Sequence, residues 1–173
     1  MTYRVLLLGA GTRHELQIEL PGRPEAFELT THELMPGPGI DLVWDLDWTI
    51  KMPIADSWFD EIHAYEVLEH TGRQGDAGFF FGQWSEFARI LKPGGCFCGT
   101  VPHWKSVWAW GDPSHRRVIT VEQLAFLDQA HYDQVGTTSC SDFRDIYKAD
   151  FKLRAHVETE HQLRFILQLE NKR

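Results

Sequence analysis

A short strand that runs directly into the start of a helix constrains this sequence more than any other stretch. Residues 59–70 read Phe-Asp-Glu-Ile-His-Ala-Tyr-Glu-Val-Leu-Glu-His, which predicts a strand over residues 61–64 and a helix start over residues 65–70. Ligands bind beyond the carboxyl ends of the strands in open α/β sheets. The polar side chains of this turn are therefore placed where a ligand is expected: Tyr65, Glu66, Glu69 and His70.

Other apolar runs predict the elements that surround this turn. The predicted strands cover residues 4–8, 26–31, 40–45 and 96–101, with a closing hairpin over 151–158 and 162–170. The predicted helices are a brief one near Thr12, an amphipathic one over 79–91, and one that Thr120 and Gln123 cap, running to about His131. This order is α/β throughout and places the strand at 4–8 beside the strand at 61–64.

Composition narrows the class of protein. The chain has 173 residues, which is enough for one domain with a core, and no apolar run approaches a membrane span or a signal peptide. A formal net charge of −8 argues against broad nucleic-acid binding, although Arg116 and Arg117 could form one basic patch. The three cysteines, an odd number, indicate reduced thiols and a cytoplasmic location.

Two glycines follow the first predicted strand, in the order Gly9-Ala10-Gly11. Glycine permits a positive φ and a close backbone approach to a ligand, although two glycines also make an ordinary turn. Glu33 ends the next strand, about 20 residues on, where an acidic side chain grips a ribose diol, although a solvated loop carboxylate is the alternative. Asp45 ends the third strand and could either bind an adenine amino group or cap a turn.

Several motifs in this order resemble class I S-adenosylmethionine (SAM)-dependent methyltransferases. Residues 5–12 resemble the first motif of that family, and residues 41–46 and 52–62 resemble its adenine loop and the start of its fourth strand. The most specific matches are Glu-Val-Leu-Glu-His at 66–70 and Ile-Leu-Lys-Pro-Gly-Gly at 90–95. The resemblance implies a Rossmann-like sandwich, mostly parallel with an antiparallel C-terminal strand, of the small type-11, quinone-methyltransferase-like group.

The resemblance also implies which residues bind the cofactor. It places Gly9, Ala10 and Gly11 beside the methionine of SAM, Glu33 at the ribose, Asp45 and Leu46 at the adenine, and Ala64 and Tyr65 on the methyl-donor side. Arg13 replaces the family's usual third glycine, and Pro21 cuts the following helix short, so both departures bear on cofactor affinity. His14 stands where an NAD-binding Gly-x-Gly-x-x-Gly motif needs glycine, which argues against a dehydrogenase.

Methyl transfer depends mostly on positioning and on exclusion of water, and it needs a base only where the acceptor must lose a proton. Three histidines follow the fourth and fifth strands, and His115 is the preferred base ahead of His70 and His103. His70 could instead cap its helix, and His103 could be an ordinary loop residue. The residues over 103–117 are predicted to form a lid, with a turn at Asp112 and Pro113.

Three further groups have both a functional and a structural interpretation. Glu66, Glu69 and His70 resemble the divalent-metal cluster of some quinone-ring O-methyltransferases, but solvated helix residues are favoured, so no metal is expected. Cys96 and Cys98 share one strand face and are expected to be buried thiols rather than a zinc site. The tryptophans either contact ligands or fill the core and lid: Trp44 and Trp48 near the adenine, and Trp104, Trp108 and Trp110 near the acceptor.

The sequence therefore predicts a single-domain SAM-dependent methyltransferase, residues 1–173, that acts on a small molecule or on an exposed group of a larger partner. One alternative is a protein that has this fold without catalysis and serves as a binding or scaffold subunit. A nucleic-acid methyltransferase, with a basic groove at Arg116 and Arg117, is the third interpretation, and the net charge argues against it.

Overall fold

The computed structural model describes residues 2–47 and 51–170, which include a seven-stranded sheet. The strands are β1 (Arg4–Leu8), β2 (Glu28–Glu33), β3 (Leu42–Val43), β4 (Phe59–Tyr65), β5 (Leu91–Pro102), β6 (Phe151–Glu158) and β7 (Gln162–Leu169). Their order across the sheet is β3-β2-β1-β4-β5-β7-β6, with β7 antiparallel to both of its neighbours. The predicted fold class and the central β1–β4 pairing are therefore confirmed.

Within the described residues, three helices and two 3₁₀ turns accompany the sheet. The helices are α1 (Ala77–Ile90), α2 (Val107–Gly111) and α3 (Val121–Ala125), and the turns are Leu68–His70 and Gln129–Gln134. Thr120 caps α3 as predicted, but α3 ends at Ala125 instead of near His131, and a separate 3₁₀ turn follows. None of the helices in the described ranges is long and apolar enough to cross a membrane.

An aromatic core lies between α1 and one face of the sheet. The indole of Trp84 is fully buried, 4.8 Å from the ring centroid of Phe97, which stacks on Phe165 at 6.2 Å. Gly99 leaves room for this packing, because a Cβ there would lie 2.4 Å from Cζ of Phe165. Each fully buried large apolar side chain contributes about 1.5–3 kcal/mol to stability. This core fixes the position of β5 beside β4.

The prediction of a helix that begins near Thr12 is wrong. Residues 12–27 are described throughout and form turns and bends without a helix, in keeping with Pro21 and Pro24. Successive side chains of a strand alternate between faces, so Glu61, His63 and Tyr65 point away from α1. The 12–27 segment packs on that polar face of β4 and replaces the usual crossover helix.

The prediction that a helix starts over residues 65–70 is also wrong. Tyr65 is the last residue of β4, and Glu66 has a φ of 55°, which a right-handed helix cannot accommodate. Only the 3₁₀ turn Leu68–His70 follows. The left-handed residue redirects the chain and places Glu69 and His70 at the carboxyl edge of the sheet.

Candidate functional site

The glycine turn after β1 is packed between β2 and the residue Val67 that follows β4. Gly9 and Gly11 have φ values of 60° and 55°, in the region that favours glycine. A Cβ on Gly9 would lie 2.3 Å from Cγ2 of Val67, so this position also needs glycine for space. The amide of Ala10 donates a 3.0 Å hydrogen bond to the carbonyl of His32. The turn is thereby held at the carboxyl ends of β1, β2 and β4.

The carboxylate of Glu33 reaches from the end of β2 to this turn. Its Oε1 accepts a 2.7 Å hydrogen bond from the amide of Gly11, and its Oε2 accepts a 3.0 Å bond from the amide of Leu34. The carbonyl of Glu33 accepts a 3.0 Å bond from the amide of Trp44, just after β3. The residues predicted to hold the methionine, ribose and adenine of SAM therefore lie at the ends of three adjacent strands.

Asp45 and Leu46 occupy the predicted adenine position after β3. Oδ1 of Asp45 accepts a 2.9 Å hydrogen bond from the amide of Asp47, which is the geometry of a turn cap. Leu46 borders a cavity of about 230 Å³ whose other lining residues include Trp44, Met52, Phe79 and Phe87. Trp48 lies outside the described residues. An apolar wall beside a polar turn can accommodate a flat heterocycle.

Ala64 and Tyr65 lie on opposite faces of β4, and neither presents an open side chain at the edge. Ala64 is fully buried in the core against α1, so only its backbone could contact a cofactor. The hydroxyl of Tyr65 accepts hydrogen bonds from the amides of Gln17 (2.9 Å) and Ile18 (3.2 Å). Burial raises the pKa of Tyr65 to about 12. Tyr65 therefore anchors the 12–27 segment.

A buried polar network continues from Tyr65 along β4. His63 contacts the Tyr65 hydroxyl through Nδ1 (2.5 Å) and Oε2 of Glu61 through Nε2 (2.7 Å). Arg23 forms an ion pair with Glu61 at 2.9 Å, and the hydroxyl of Tyr3 donates to Glu61 at 2.6 Å. Burial opposes ionisation of Glu61, but the bonds from His63, Arg23 and Tyr3 outweigh it and lower its pKa to about 2. Burial lowers the pKa of His63 and so favours its neutral form.

Two of the three candidate bases lie together. The rings of His70 and His115 meet edge to face with centroids 4.7 Å apart. His103 is instead bound through Nε2 to Oε2 of Glu158 on β6, at 2.9 Å. The structure therefore brings His70 and His115 to one place at the edge of the sheet and gives His103 a structural partner elsewhere.

Glu69 lies beneath this histidine pair and is not the solvated residue that the sequence favoured. Its side chain is only 2% exposed, and neither carboxylate oxygen has a hydrogen-bond partner among the described residues. Burial raises the pKa of Glu69 to about 8. Its backbone carbonyl accepts a 2.8 Å bond from the amide of Arg116. The 103–117 segment therefore returns directly onto the turn after β4.

The basic pair Arg116 and Arg117 does not form an open basic patch. Arg116 forms an ion pair with Asp47, and the amide of Gly72 donates to the same carboxylate at 2.7 Å. Arg117 is buried, with its guanidinium bound to the carbonyl of Leu68 and to the side chains of Thr71 and Gln83. Both arginines hold the loops of this edge together.

The 103–117 segment carries an exposed aromatic surface. Its tryptophan side chains are largely solvent-exposed, with Trp104, Trp108 and Trp110 at 47%, 65% and 69%. Nε1 of Trp110 donates a 2.9 Å hydrogen bond to the carbonyl of Trp104, and Oδ1 of Asp112 accepts from the amide of Ser114 at 2.8 Å. The predicted Asp112–Pro113 turn is present, and core packing of these tryptophans is excluded.

Sequence reasoning missed the network at Glu61 and the contact between Glu69 and His115. The network at Glu61 could have been predicted, because Glu61 and His63 are polar residues at alternate positions of a predicted buried strand. The contact between Glu69 and His115 had no such signal, since 46 positions separate the two residues and only the return of the 103–117 segment brings them together.

Comparisons with known proteins identify the fold. No protein-family model matches the sequence, and no curated protein matches it. Among solved structures, a SAM-dependent methyltransferase of Archaeoglobus fulgidus matches with a TM-score of 0.57 and 15% identity, over 96% of this chain and 86% of the other. A Burkholderia thailandensis 1,6-didemethyltoxoflavin-N1-methyltransferase, solved with bound 1,6-didemethyltoxoflavin and S-adenosylhomocysteine, matches with a TM-score of 0.59 and 16% identity, over 98% of this chain and 72% of the other.

A third similar structure is a Haloferax volcanii protein solved in complex with a methyltransferase activator, at a TM-score of 0.60 and 14% identity, over 100% of this chain and 85% of the other. These similarities extend over nearly the whole described chain. The protein therefore has the Rossmann-like fold of class I SAM-dependent methyltransferases.

Proposed function

We propose that this chain is a SAM-dependent methyltransferase that binds SAM across the carboxyl ends of β1, β2 and β3 and releases S-adenosylhomocysteine. The observation that carries the proposal is the hydrogen bond from the Gly11 amide to Glu33, because it joins the glycine turn to the acidic end of the next strand. A ribose bound by Glu33 would then lie beside a methionine portion bound at Gly9–Gly11.

The remaining cofactor contacts follow from the same edge. Asp45 and Leu46 would bind the adenine beside the apolar cavity, and Ala64 would contribute only its backbone. Tyr65 would act indirectly, by holding residues 17 and 18 next to the glycine turn. The sulfonium methyl group would then point toward the turn after β4 and toward the 103–117 segment.

The acceptor would bind between the turn after β4 and the 103–117 segment, which serves as the lid of a single domain. His115 is the preferred base, and His70 lies beside it. His103 is the weakest candidate because its imidazole is bound to Glu158. The exposed tryptophans of the lid offer flat apolar faces, which suit an aromatic small molecule or an exposed ring on a larger partner.

Calorimetry with SAM and with S-adenosylhomocysteine tests the proposal. We expect one equivalent of each to bind in the micromolar range. If neither ligand binds at high micromolar concentration, the enzyme proposal is wrong. Where binding is found, incubation with methyl-labelled SAM and a set of hydroxyl-, amine- and ring-bearing acceptors identifies the group that is methylated.

A protein with this fold that binds a partner without catalysis is the second candidate. One observation favours it: residues 12–27 lack the helix that follows the glycine turn. Absence of binding to both cofactor forms would support this candidate. Binding of S-adenosylhomocysteine would count against it.

The third candidate is a nucleic-acid methyltransferase, which requires a basic groove that Arg116 and Arg117 do not form. Arg116 is paired with Asp47, and Arg117 is buried. With a net charge of −8, we expect no binding of DNA or RNA even at low salt. Affinity that falls steeply with salt concentration would reverse this conclusion.

A further inference from the structure

A cavity of about 330 Å³ lies beside the first turns of α1 and is separate from the cavity that Leu46 borders. Phe80 and Phe81 line this second cavity, whereas Phe79 and Gln83 line the one beside Leu46. With about 100° of rotation per helical residue, these two pairs project from different faces of α1. No described residue lines both cavities. The second cavity is therefore distinct from the position proposed for adenine.

Phenylalanine rings form the apolar wall of the second cavity. The rings of Phe81 and Phe143 have centroids 4.8 Å apart, and Phe126 meets Phe143 edge to face at 5.8 Å. Phe80 meets Phe81 edge to face at 5.1 Å. Phe81 is buried, whereas the other three rings are only partly buried although they line the cavity. Such a wall suits a flat ring, which would gain aromatic contacts as well as burial.

Two arginines line the same cavity, and neither forms an ion pair with a carboxylate in the described part of the chain. Arg73 is exposed, and its guanidinium has no hydrogen-bond partner there. Arg117 is buried, and its Nε and Nη2 donate to Leu68, Thr71 and Gln83, which leaves Nη1 without a partner among the described residues. Burial lowers the pKa of Arg117 to about 10, so a nearby anion would stabilise its charged form.

Three other polar side chains line the cavity. Gln123 is half-buried and Ser141 is exposed, and neither side chain has a hydrogen-bond partner among the residues that the structure describes. Asp76 is the acidic member of the described lining; its Oδ1 accepts a 2.9 Å hydrogen bond from the amide of Phe79, and its charge acts on Arg117 only through space. Two cations therefore face one anion at this cavity, which favours a ligand of negative charge.

We propose that the second cavity binds a small aromatic carboxylate, with its ring system among the phenylalanines and its carboxylate bound by Arg73. Guanidinium groups bind carboxylates through charge-assisted hydrogen bonds, often two in parallel. Gln123 and Ser141 each offer a further donor. A volume near the lower end of the range for small-molecule sites restricts the ligand to a ring system of about one or two rings. The site requires neither SAM nor methyl transfer and is tested without them.

Calorimetry with 2-naphthoate, and with the neutral alcohol 2-naphthalenemethanol as its counterpart, tests the site directly. We expect one equivalent of 2-naphthoate to bind with a Kd below about 100 µM, and the alcohol to bind about 10-fold more weakly or worse. Arg73→Gln should weaken 2-naphthoate binding by about 10-fold and leave binding of the alcohol unchanged. Arg164→Gln, at an exposed position of β7, makes the same change of charge elsewhere and should leave both affinities unchanged.

A second variant and a competition experiment locate the bound ligand. Ser141→Trp places a large side chain at an exposed position of the lining and should abolish binding of both ligands, with an unfolding temperature close to that of the wild type. The proposal is overturned if 2-naphthoate does not bind at about 1 mM, or if Ser141→Trp or Arg73→Gln binds it like the wild type. Displacement of 2-naphthoate by S-adenosylhomocysteine would also overturn it, whereas failure of S-adenosylhomocysteine to bind would contradict the methyltransferase proposal alone.

Discussion

The guanidinium of Arg23 is paired with the fully buried carboxylate of Glu61, with 2.9 Å between Nη2 and Oε2. Arg23 belongs to the non-helical 12–27 segment, and Glu61 belongs to β4 at the centre of the sheet. This pair, together with His63, does what an apolar helix face does in a more regular α/β fold: it holds the connection between β1 and β2 against the sheet.

Replacement of Arg23 by alanine should lower the free energy of unfolding by about 3–5 kcal/mol, because it leaves the charge of Glu61 buried without its cationic partner. Urea unfolding at neutral pH measures the loss. Arg13→Ala is the matched control, since Arg13 is exposed in the same segment and should change stability by less than about 0.5 kcal/mol. Equal effects of the two variants would contradict the structural role of Arg23.

The stability of the protein should fall in acid through Glu61. The folded-state pKa of about 2 lies below the ordinary value of 4.5, so the stabilisation from its charge is complete above pH 4.5 and is lost as the pH falls toward 2. His63, whose pKa burial lowers, adds a loss in the same direction as the pH falls below 6.5. Glu61→Gln should be less stable than wild type at pH 7, and the gap should narrow by pH 3. A gap of constant size would refute the assignment.

Loss of the hydroxyl of Tyr65 should release the 12–27 segment locally. Tyr65→Phe leaves the amides of Gln17 and Ile18 without their acceptor, which costs about 1–3 kcal/mol. Amide hydrogen exchange should accelerate at residues 17 and 18, while α1 remains protected. If Tyr65 acts on the cofactor only through this segment, Tyr65→Phe weakens S-adenosylhomocysteine binding without abolishing it.

Gly99 and Gly82 together test the core packing, because a Cβ would be crowded at Gly99 and unobstructed at Gly82. Gly99→Ala should destabilise the protein by about 1–3 kcal/mol, because its Cβ would lie 2.4 Å from Cζ of Phe165. Gly82→Ala, on α1 with nothing within 4 Å of its Cβ, should stabilise it by about 0.5–1 kcal/mol. Thermal unfolding of both variants measures these changes, and Phe165→Leu should recover part of the Gly99→Ala loss. Destabilisation by both glycine variants would count against the core packing described.

Glu33 should contribute to cofactor affinity more than to folding. Glu33→Ala is expected to weaken S-adenosylhomocysteine binding by about 1–3 kcal/mol in calorimetry, through loss of the proposed ribose contact and of the hydrogen bond to the Gly11 amide. Glu28→Ala, at an exposed position of the same strand, serves as the control. Unchanged affinity in Glu33→Ala would show that the ribose binds elsewhere.

The strands and the long helix could be predicted because the local pattern of apolar residues indicates them. The apolar run at 4–8 and the 3.6-residue period of α1 need no distant partner to be read, and the elements agree with the prediction to within a few residues. The short first helix failed because its prediction came from position and not from periodicity. Polar residues on β4, which only a network with Arg23 satisfies, hold that segment instead.

The candidate site likewise has a part that could be predicted from the sequence and a part that could not. The placement of Gly9, Gly11 and Glu33 at one edge could be predicted, because strand ends and glycine turns are local and parallel strands bring them together. The approach of His115 to Glu69 could not be found, because it depends on how the 103–117 segment returns from β5. The expectation that Glu69 is a solvated helix residue assumed a helix at residues 65–70, which the positive φ of Glu66 replaces with a turn.

The position of β7 between β5 and β6 has a consequence for the order of folding. β6 is made before β7, yet β7 is the strand that joins β6 to the sheet. Until β7 has been synthesised, β5 keeps an open edge and β6 cannot dock. Pairing over such sequence distances is slow, and an open apolar edge invites pairing with another chain. The nascent chain therefore passes through an interval of aggregation risk that ends only when β7 inserts.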